Sequence, residues 1–271
     1  MSELTIRLEE PRDYREVELL TRDAFWGSDN PRCNEHLLVT LLRDCAAFVP
    51  ELDFVAERDG KIVGNIMFSR SKVVDDDGAE YETLTFGPLS VLPLYQGAGV
   101  GMALMHHSFA EAKRFGYGAI VIHGHADYYP RVGFRRAAEF GITSGDGRSF
   151  DAVMALELTY GALDGVRGAI HEDEVFYSLT DDALDTFEAT LPPKEPHVMV
   201  PMSVLLQRLS SVAQEGIRSL DAEYLSLLYR CSEDEVRRLS GIDDAAVVVI
   251  RETLNEHGIK WGKPLNNKEQ D

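Results

Sequence analysis

Three glycines within five residues, Gly97, Gly99 and Gly101, stand between a β-rich run ending at Val91 and a helix-periodic run reaching about Phe115. Pro93 breaks the strand, and the glycines permit positive φ and close backbone approach. A helix opening on such a turn aims free N–H groups and the positive end of its dipole at one spot, which makes a pyrophosphate cradle. The chain itself is acidic, with 27 Lys and Arg against 46 Asp and Glu, a net charge of −19. That charge repels nucleic acid and anionic membranes, while cationic small molecules and basic peptides remain welcome. An acidic protein can still hold an anionic cofactor when backbone amides, and not lysines, do the binding.

The surroundings of Gln96-Gly97-Ala98-Gly99-Val100-Gly101 discriminate among loop types. A dinucleotide loop follows the first parallel strand of a βαβ unit. Here the preceding runs read as antiparallel. Phe54 to Arg58 and Lys61 to Phe68 are joined by Asp59-Gly60, a strong hairpin signal. An acidic turn at Asp75 to Gly78 then leads into a strand from Glu80 through Val91. A nucleotide P-loop needs Lys after its last glycine, and Met102 stands there. A flexible glycine turn with no ligand is the remaining alternative.

The rest of the chain predicts a strand at Leu4 to Leu8, a helix after Pro11 through Phe25 and another over Cys33 to Cys45. Beyond the glycine loop come a strand at Ala119 to Ile122, a short helix near Asp127 to Arg131 and a strand from Ala152 to Leu158. Residues 160–200 carry turn residues, acid clusters and Pro192-Pro193, and read as trimming plus a linker; from Pro201 onward the pattern is helical. The 271 residues suit one large or two ordinary domains. Cys33, Cys45 and Cys231 form no C-x-x-C pair, the longest apolar run is far short of a membrane span, and no secretion signal is visible at the start. The expectation is a cytoplasmic protein without a disulfide framework, structural metal or membrane contact.

Leu89-Ser-Val-Leu-Pro followed by Gln-x-x-Gly-x-Gly resembles motif A of the GNAT acyl-CoA N-acyltransferase superfamily, and Tyr129-Pro-Arg-Val-Gly133-Phe134 resembles its Tyr-x-x-x-Gly-Phe element. The run from Gly124 to Phe134, together with Met154 to Leu158, is similar to the YhbS-type branch. The resemblance implies an α/β (α+β) fold with a mixed, mostly antiparallel sheet splayed between its fourth and fifth strands and flanked by helices. It implies acetyl-CoA as cosubstrate, no metal, and direct transfer of the acetyl group to an amine of a small molecule or peptide. Leu89, Ser90 and Val91 would bind the pantetheine arm through their backbone. Gln96, Gly97, Ala98, Gly99, Val100, Gly101 and Met102 would hold the pyrophosphate. Tyr129 would be the general acid for the departing thiolate, with Tyr128 second. The general base stays open among His123, His125 and Glu57, while His106 and His107 read as ordinary helix residues. A different class of reading is a non-catalytic acyl-CoA-binding sensor built on the same fold.

Residues 201–262 resemble the C-terminal domain of the bacterial RNA polymerase α subunit, through Gly216-Ile-Arg-Ser-Leu, Ser232 to Asp244 and Val247 to Gly258. Leu239-Ser-Gly-Ile is similar to the turn of a helix-hairpin-helix module. DNA-binding versions present basic groups there, whereas Asp243 and Asp244 open the second helix here. Residues 201–271 hold nine Lys or Arg against twelve Asp or Glu. The expectation is a small all-α module kept for packing, a protein partner or a homodimer, and not for DNA. The expected organisation is an acetyltransferase domain at 1–175, a linker at 176–200, the helical domain at 201–262 and a tail at 263–271.

Overall fold

The computed structural model describes residues 3–26, 32–124, 128–145, 152–194, 199–220, 222–225, 228, 233–257 and 259. The chain divides into two compact units, Met1–Ala24 with Asn34–Pro193, and Phe25–Cys33 with Lys194–Asp271.

The first unit is built on strands β1 (Thr5–Leu8), β2 (Phe54–Arg58), β3 (Lys61–Val74), β4 (Glu80–Val91), β5 (Ala119–His123), β6 (Arg135–Arg136), β7 (Ile142–Thr143), β8 (Val153–Glu157) and β9 (Gly168–His171). Its helices are α1 (Tyr14–Phe25), α2 (Glu35–Arg43), α3 (Val100–Arg114) and α4 (Asp181–Glu188). The strands run in the order β1-β2-β3-β4-β5-β8-β6, with β9 pairing both β3 and β7. At the β2–β3 hairpin, Asp59 and Gly60 take φ of 53° and 73°, the left-handed pair that matches strand twist. The next turn is held by Asp75, whose carboxylate accepts from the amides of Asp77 and Ala79.

β3 and β4 pair from Val74↔Glu80 to Gly64↔Val91, with an irregularity between Ile66 and Phe68. On its other side β4 meets β5 in parallel only at Leu84↔Ile120. From Thr85 to Val91 the two strands diverge, and this is the splay the motifs imply. Alternation along the strands separates two faces. Ile66, Phe68, Leu84, Phe86, Ile120 and Ile122 pack with Val100, Leu104, Met105 and Phe109 of α3. On the opposite face Val55 and Met67 pack with Val17 and Leu20 of α1 and Val39 and Leu42 of α2. The fold is thus the mixed, mostly antiparallel open sheet flanked by helices that the resemblance implies.

The expected linker at 176–200 differs in the structure. Thr180 caps α4 by accepting from the Ala183 amide, and the first compact unit runs to Pro193. Glu188 at the end of α4 meets Arg22 of α1 and lies 2.7 Å from Nε2 of His36 on α2. The Arg22 guanidinium also donates to the Pro192 carbonyl at 2.7 Å. The buried Arg22 guanidinium, with the buried Leu184 and Leu191 of the segment itself, therefore holds a stretch whose acids and turn residues mask its sparse apolar positions. Strand β9, four residues beginning Gly168-Ala169, is too short to show an alternating pattern.

The second unit is helical, with α5 (Ser203–Leu206), α6 (Ser211–Arg218), α7 (Glu233–Arg237) and α8 (Asp244–Glu256) around Leu205, Ala213, Ile217, Val236, Ile250 and Leu254. Ser210 caps α6 and Asp243 caps α8, each accepting from the amide three residues on. The expected cap Ser232, the C′ residue Gly258 and the tail lie outside the described residues. Among the described residues no helix is long and apolar enough to cross a membrane.

Candidate active site

The opening between β4 and β5 is lined by backbone whose direction can be worked out. The Leu92 amide donates to the Val63 carbonyl at 3.0 Å, so Leu92 faces β3. Successive residues of a strand present their polar groups to opposite edges. Leu89 and Val91 therefore aim theirs into the opening, while Ser90 aims its toward β3. The Ser90 hydroxyl is buried and shares a 3.0 Å hydrogen bond with Thr21 of α1. Of the expected backbone trio, Ser90 thus stands on the wrong edge for a ligand in the splay.

The glycine loop follows at once. Gly97 and Gly99 take φ of 72° and 84°, and Gly99 is the N-cap of α3 with no side chain capping it. The amides of Gly97, Gly99, Val100, Gly101 and Met102 have no acceptor among the described residues. Gly97, Ala98 and Gly99 are exposed, and a Cβ at 97 or 99 would meet nothing within 4 Å. The result is an uncapped row of donors facing open space, which fits an anionic group. Gln96 works differently from the expectation: its side-chain amide donates to the Val91 carbonyl at 3.1 Å and braces the loop. Tyr128 comes to the same place, its hydroxyl 3.1 Å from where a Cβ on Gly101 would sit.

Tyr129 opens a short 3-10 turn, Tyr129–Val132. Its ring packs edge-on against Phe86, Tyr128 and Phe134, with centroids 5.8, 5.2 and 5.6 Å away. Gly124 makes this packing possible, since a Cβ there would lie 2.2 Å from the Tyr129 ring. Burial, with a smaller effect from Tyr128, pushes the phenol up to about 12.

On the opposite face, a carboxylate from β9's end enters the opening. Glu172 accepts from Thr85 Oγ1 at 3.1 Å and from the Tyr177 hydroxyl at 2.6 Å, and its Oε2 lies 3.2 Å from Nδ1 of His123. Burial raises the Glu172 pKa, but the hydrogen bonds from His123, Tyr177 and Thr85 outweigh it and hold the group below its ordinary value. Burial and the Glu172 charge raise the Tyr177 phenol. Sequence reasoning finds His123 but not Glu172 or Tyr177, because nothing in a lone acid 49 positions away signals that the chain folds back. A pocket of about 660 Å³ adjoins Glu172 and is also lined by Arg70, Lys72, Glu82 and Asp173. Of the other base candidates, His125 lies outside the described residues. Glu57 pairs with Arg7 at 3.1 Å on the β1–β2 edge, away from the opening. Among the described residues no group of three or more His, Cys, Asp or Glu could hold a metal ion.

A strand splayed from its parallel neighbour, an uncapped glycine turn at the mouth and a partly buried tyrosine behind are features of the GNAT fold. Residues 51–136 match the sequence profile of the acetyltransferase (GNAT) domain. The chain is 37% identical over 126 residues to the uncharacterized N-acetyltransferase YjhQ of Escherichia coli strain K12, covering 46% of this chain and 65% of that protein. Two solved structures share 29% identity: the GNAT family N-acetyltransferase YhbS from Escherichia coli in complex with CoA, and a GNAT family acetyltransferase from Brucella melitensis in complex with acetyl-CoA. The first has a TM-score of 0.58 and covers 66% of this chain and 95% of the other; the second has 0.51, covering 65% and 99%.

Proposed function

We propose that the first unit is an acetyl-CoA-dependent N-acetyltransferase acting on an amine, in the cytoplasm. The observation that carries this reading is the row of acceptor-less amides at the start of α3, continuous with the open β4 edge. A diphosphate seated there would collect hydrogen bonds worth about 1.5–3 kcal/mol each, because the acceptor is charged. Leu89 and Val91 would hold an extended amide-bearing arm as a strand neighbour would. The YhbS and Brucella proteins, crystallised with CoA and acetyl-CoA, support the same assignment.

Acetyl-CoA would supply an activated acyl group on a thiol leaving group. The chain's part is to orient it, to polarise the carbonyl with backbone N–H groups and to manage protons. Tyr129 would present its hydroxyl to the departing sulfur. A phenol at about 12 is a weaker acid than an ordinary thiol, so complete proton transfer from it is uphill by roughly 5 kcal/mol. Its contribution is a hydrogen bond that strengthens as charge builds on sulfur, with protonation completed from the acceptor's released proton.

For the helical unit, we infer a module like the C-terminal domain of the RNA polymerase α subunit that serves protein contact. The Asp243 carboxylate is used as a cap, and Asp244 pairs with Arg237 at 2.6 Å, so two acids stand at the start of the second helix where a phosphate would approach. Strong retention of duplex DNA at low salt would overturn this.

The decisive experiment is CoA release from acetyl-CoA across a panel of primary amines, alongside calorimetry with CoA. Turnover with any amine supports the enzyme. Saturable CoA binding with no turnover supports a ligand-binding protein instead.

A further inference from the structure

We infer that the Tyr128 hydroxyl is a ligand for the diphosphate of the cosubstrate, beside the amides of the glycine loop, and that Gly101 lacks a side chain in order to admit it. This deepens the acetyl-CoA reading above and rests on it.

The first observation is where the hydroxyl stands. Tyr128 Oη lies 3.1 Å from the place a Cβ on Gly101 would take, and Val91 Cγ2 and Leu89 Cδ2 lie 3.7 and 3.8 Å from the same point. Gly101 is the second residue of α3, in the turn whose amides have no acceptor among the described residues. Cα–Cβ bonds of a helix tilt toward its N-terminus, the direction in which its free N–H groups also point. An atom beyond that Cβ position is therefore displaced toward the open end of α3. Leu89 and Val91 belong to the splayed edge of β4, so the phenol stands where the amide row and the opening meet.

The second observation is that the hydroxyl is held there without being used. The ring packs edge-on against Tyr129, 5.2 Å between centroids, and joins Leu89, Val91 and Met102 against the core on the α3 side. Its hydroxyl makes no hydrogen bond among the described residues. A tyrosine hydroxyl taken out of water ordinarily finds a partner. Burial raises the phenol pKa against a smaller opposing pull from the Arg131 charge, so the group is protonated and donates at neutral pH.

The chemistry of the spot selects the ligand. The amides and the phenol are all donors, which suits an acceptor-only anion with several oxygens. The amides of a pantetheine arm need acceptors as well as donors, and the backbone edge of β4 supplies both. The glycine follows from the same geometry. Alanine at position 101 would keep every backbone amide, yet its Cβ would crowd the hydroxyl at 3.1 Å while meeting Val91 and Leu89 at ordinary contact distance. Removing the hydroxyl removes the one tight contact.

The test is calorimetry on the full chain with CoA, which reads binding and not turnover. Tyr128→Phe keeps the ring and should weaken CoA by about 10–100-fold, the worth of one hydrogen bond to a charged acceptor. Dephospho-CoA retains the diphosphate and lacks the 3′-phosphate, and should lose by the same factor. Gly101→Ala should weaken CoA by at least about threefold, and by less than that in the Tyr128→Phe background. Unchanged CoA affinity in Tyr128→Phe, or a loss with CoA that dephospho-CoA does not share, overturns the assignment while wild-type binding stands. Equal losses from Gly101→Ala in both backgrounds overturn the reason given for the glycine. A wild type that binds no CoA overturns the acetyl-CoA reading and this one with it.

Discussion

Replacing Gly124 by alanine tests whether the placement of Tyr129 matters for rate. The added Cβ would lie 2.2 Å from one ring carbon of Tyr129, 2.7 Å from the next and 3.3 Å from Ile122 Cδ1. Ordinary carbon contacts are about 3.5–4.0 Å, so the ring must retreat by more than about 1 Å. Phe86 and Phe134 already press on it, which closes the easy exits. Overpacking of this kind costs about 1–3 kcal/mol, or a fall in Tm of roughly 2–12 °C at 2–4 °C per kcal/mol for a unit of this size. A misplacement of about 1 Å near the chemistry is worth up to about 10²-fold in rate. Gly124→Ala should thus lower kcat by about 10²-fold while leaving the Kd for acetyl-CoA within about twofold, since the amide row is untouched. In the Tyr129→Phe background the same change should cost little more, because both act through one hydroxyl. Steady-state kinetics on the four proteins decide the matter. A wild-type kcat in Gly124→Ala, or fully additive losses, would refute the reasoning.

Tyr129→Phe should lower the rate toward the smaller end of about 10²–10⁴-fold, and the wild-type profile should show no descending limb below about pH 10, since the phenol titrates near 12. The same raised pKa gives stability that is complete below the unfolded value near 10 and lost as pH climbs to about 12; denaturant melts at pH 9 and 11.5 should differ less for Tyr129→Phe than for wild type. Gly99→Val forces a branched residue to a φ of 84° and should weaken acetyl-CoA binding by at least about tenfold in calorimetry; unchanged affinity would remove the loop from the site. Truncation after Pro193 should leave the first unit folded, whereas truncation after Val175 strips Glu188 from Arg22 and His36. Breaking the buried Arg22–Glu188 pair by removing one partner costs about 3–5 kcal/mol, and equal melting temperatures for the two fragments would count against the α4 contacts.

What the sequence reveals is whatever local chemistry dictates. Asp59-Gly60 and Asp75 specify their turns by backbone preference alone, and the glycine loop carries its own helix start, so the meander and the uncapped start of α3 are legible. Tyr129 is legible through its motif. The partner of His123 is not, because Glu172 reaches it only after β9 has paired with β3, a contact made by register between Lys72 and His171. For Gln96 the motif position suggests a ligand contact, and the structure adds what the motif does not say, that its side-chain amide donates to the Val91 carbonyl. The helix α4 is hidden because four Asp and Glu in eight residues dilute its few apolar positions, and Arg22 ties down its end.

Between Thr85 and Val91 the splay leaves an unpaired strand edge in the middle of a sheet, where most folds allow edges only at the margins. Such an edge can template pairing with another chain, and nothing here blunts it with proline bulges or inward lysines beyond the single Pro88. A ligand arm bearing amides would act as the missing strand, a form of β-augmentation by a small molecule. Bound at 100 times its Kd, it adds about 2.7 kcal/mol of stability. The thioester pool would then govern how much of this chain stays soluble as well as how fast it works.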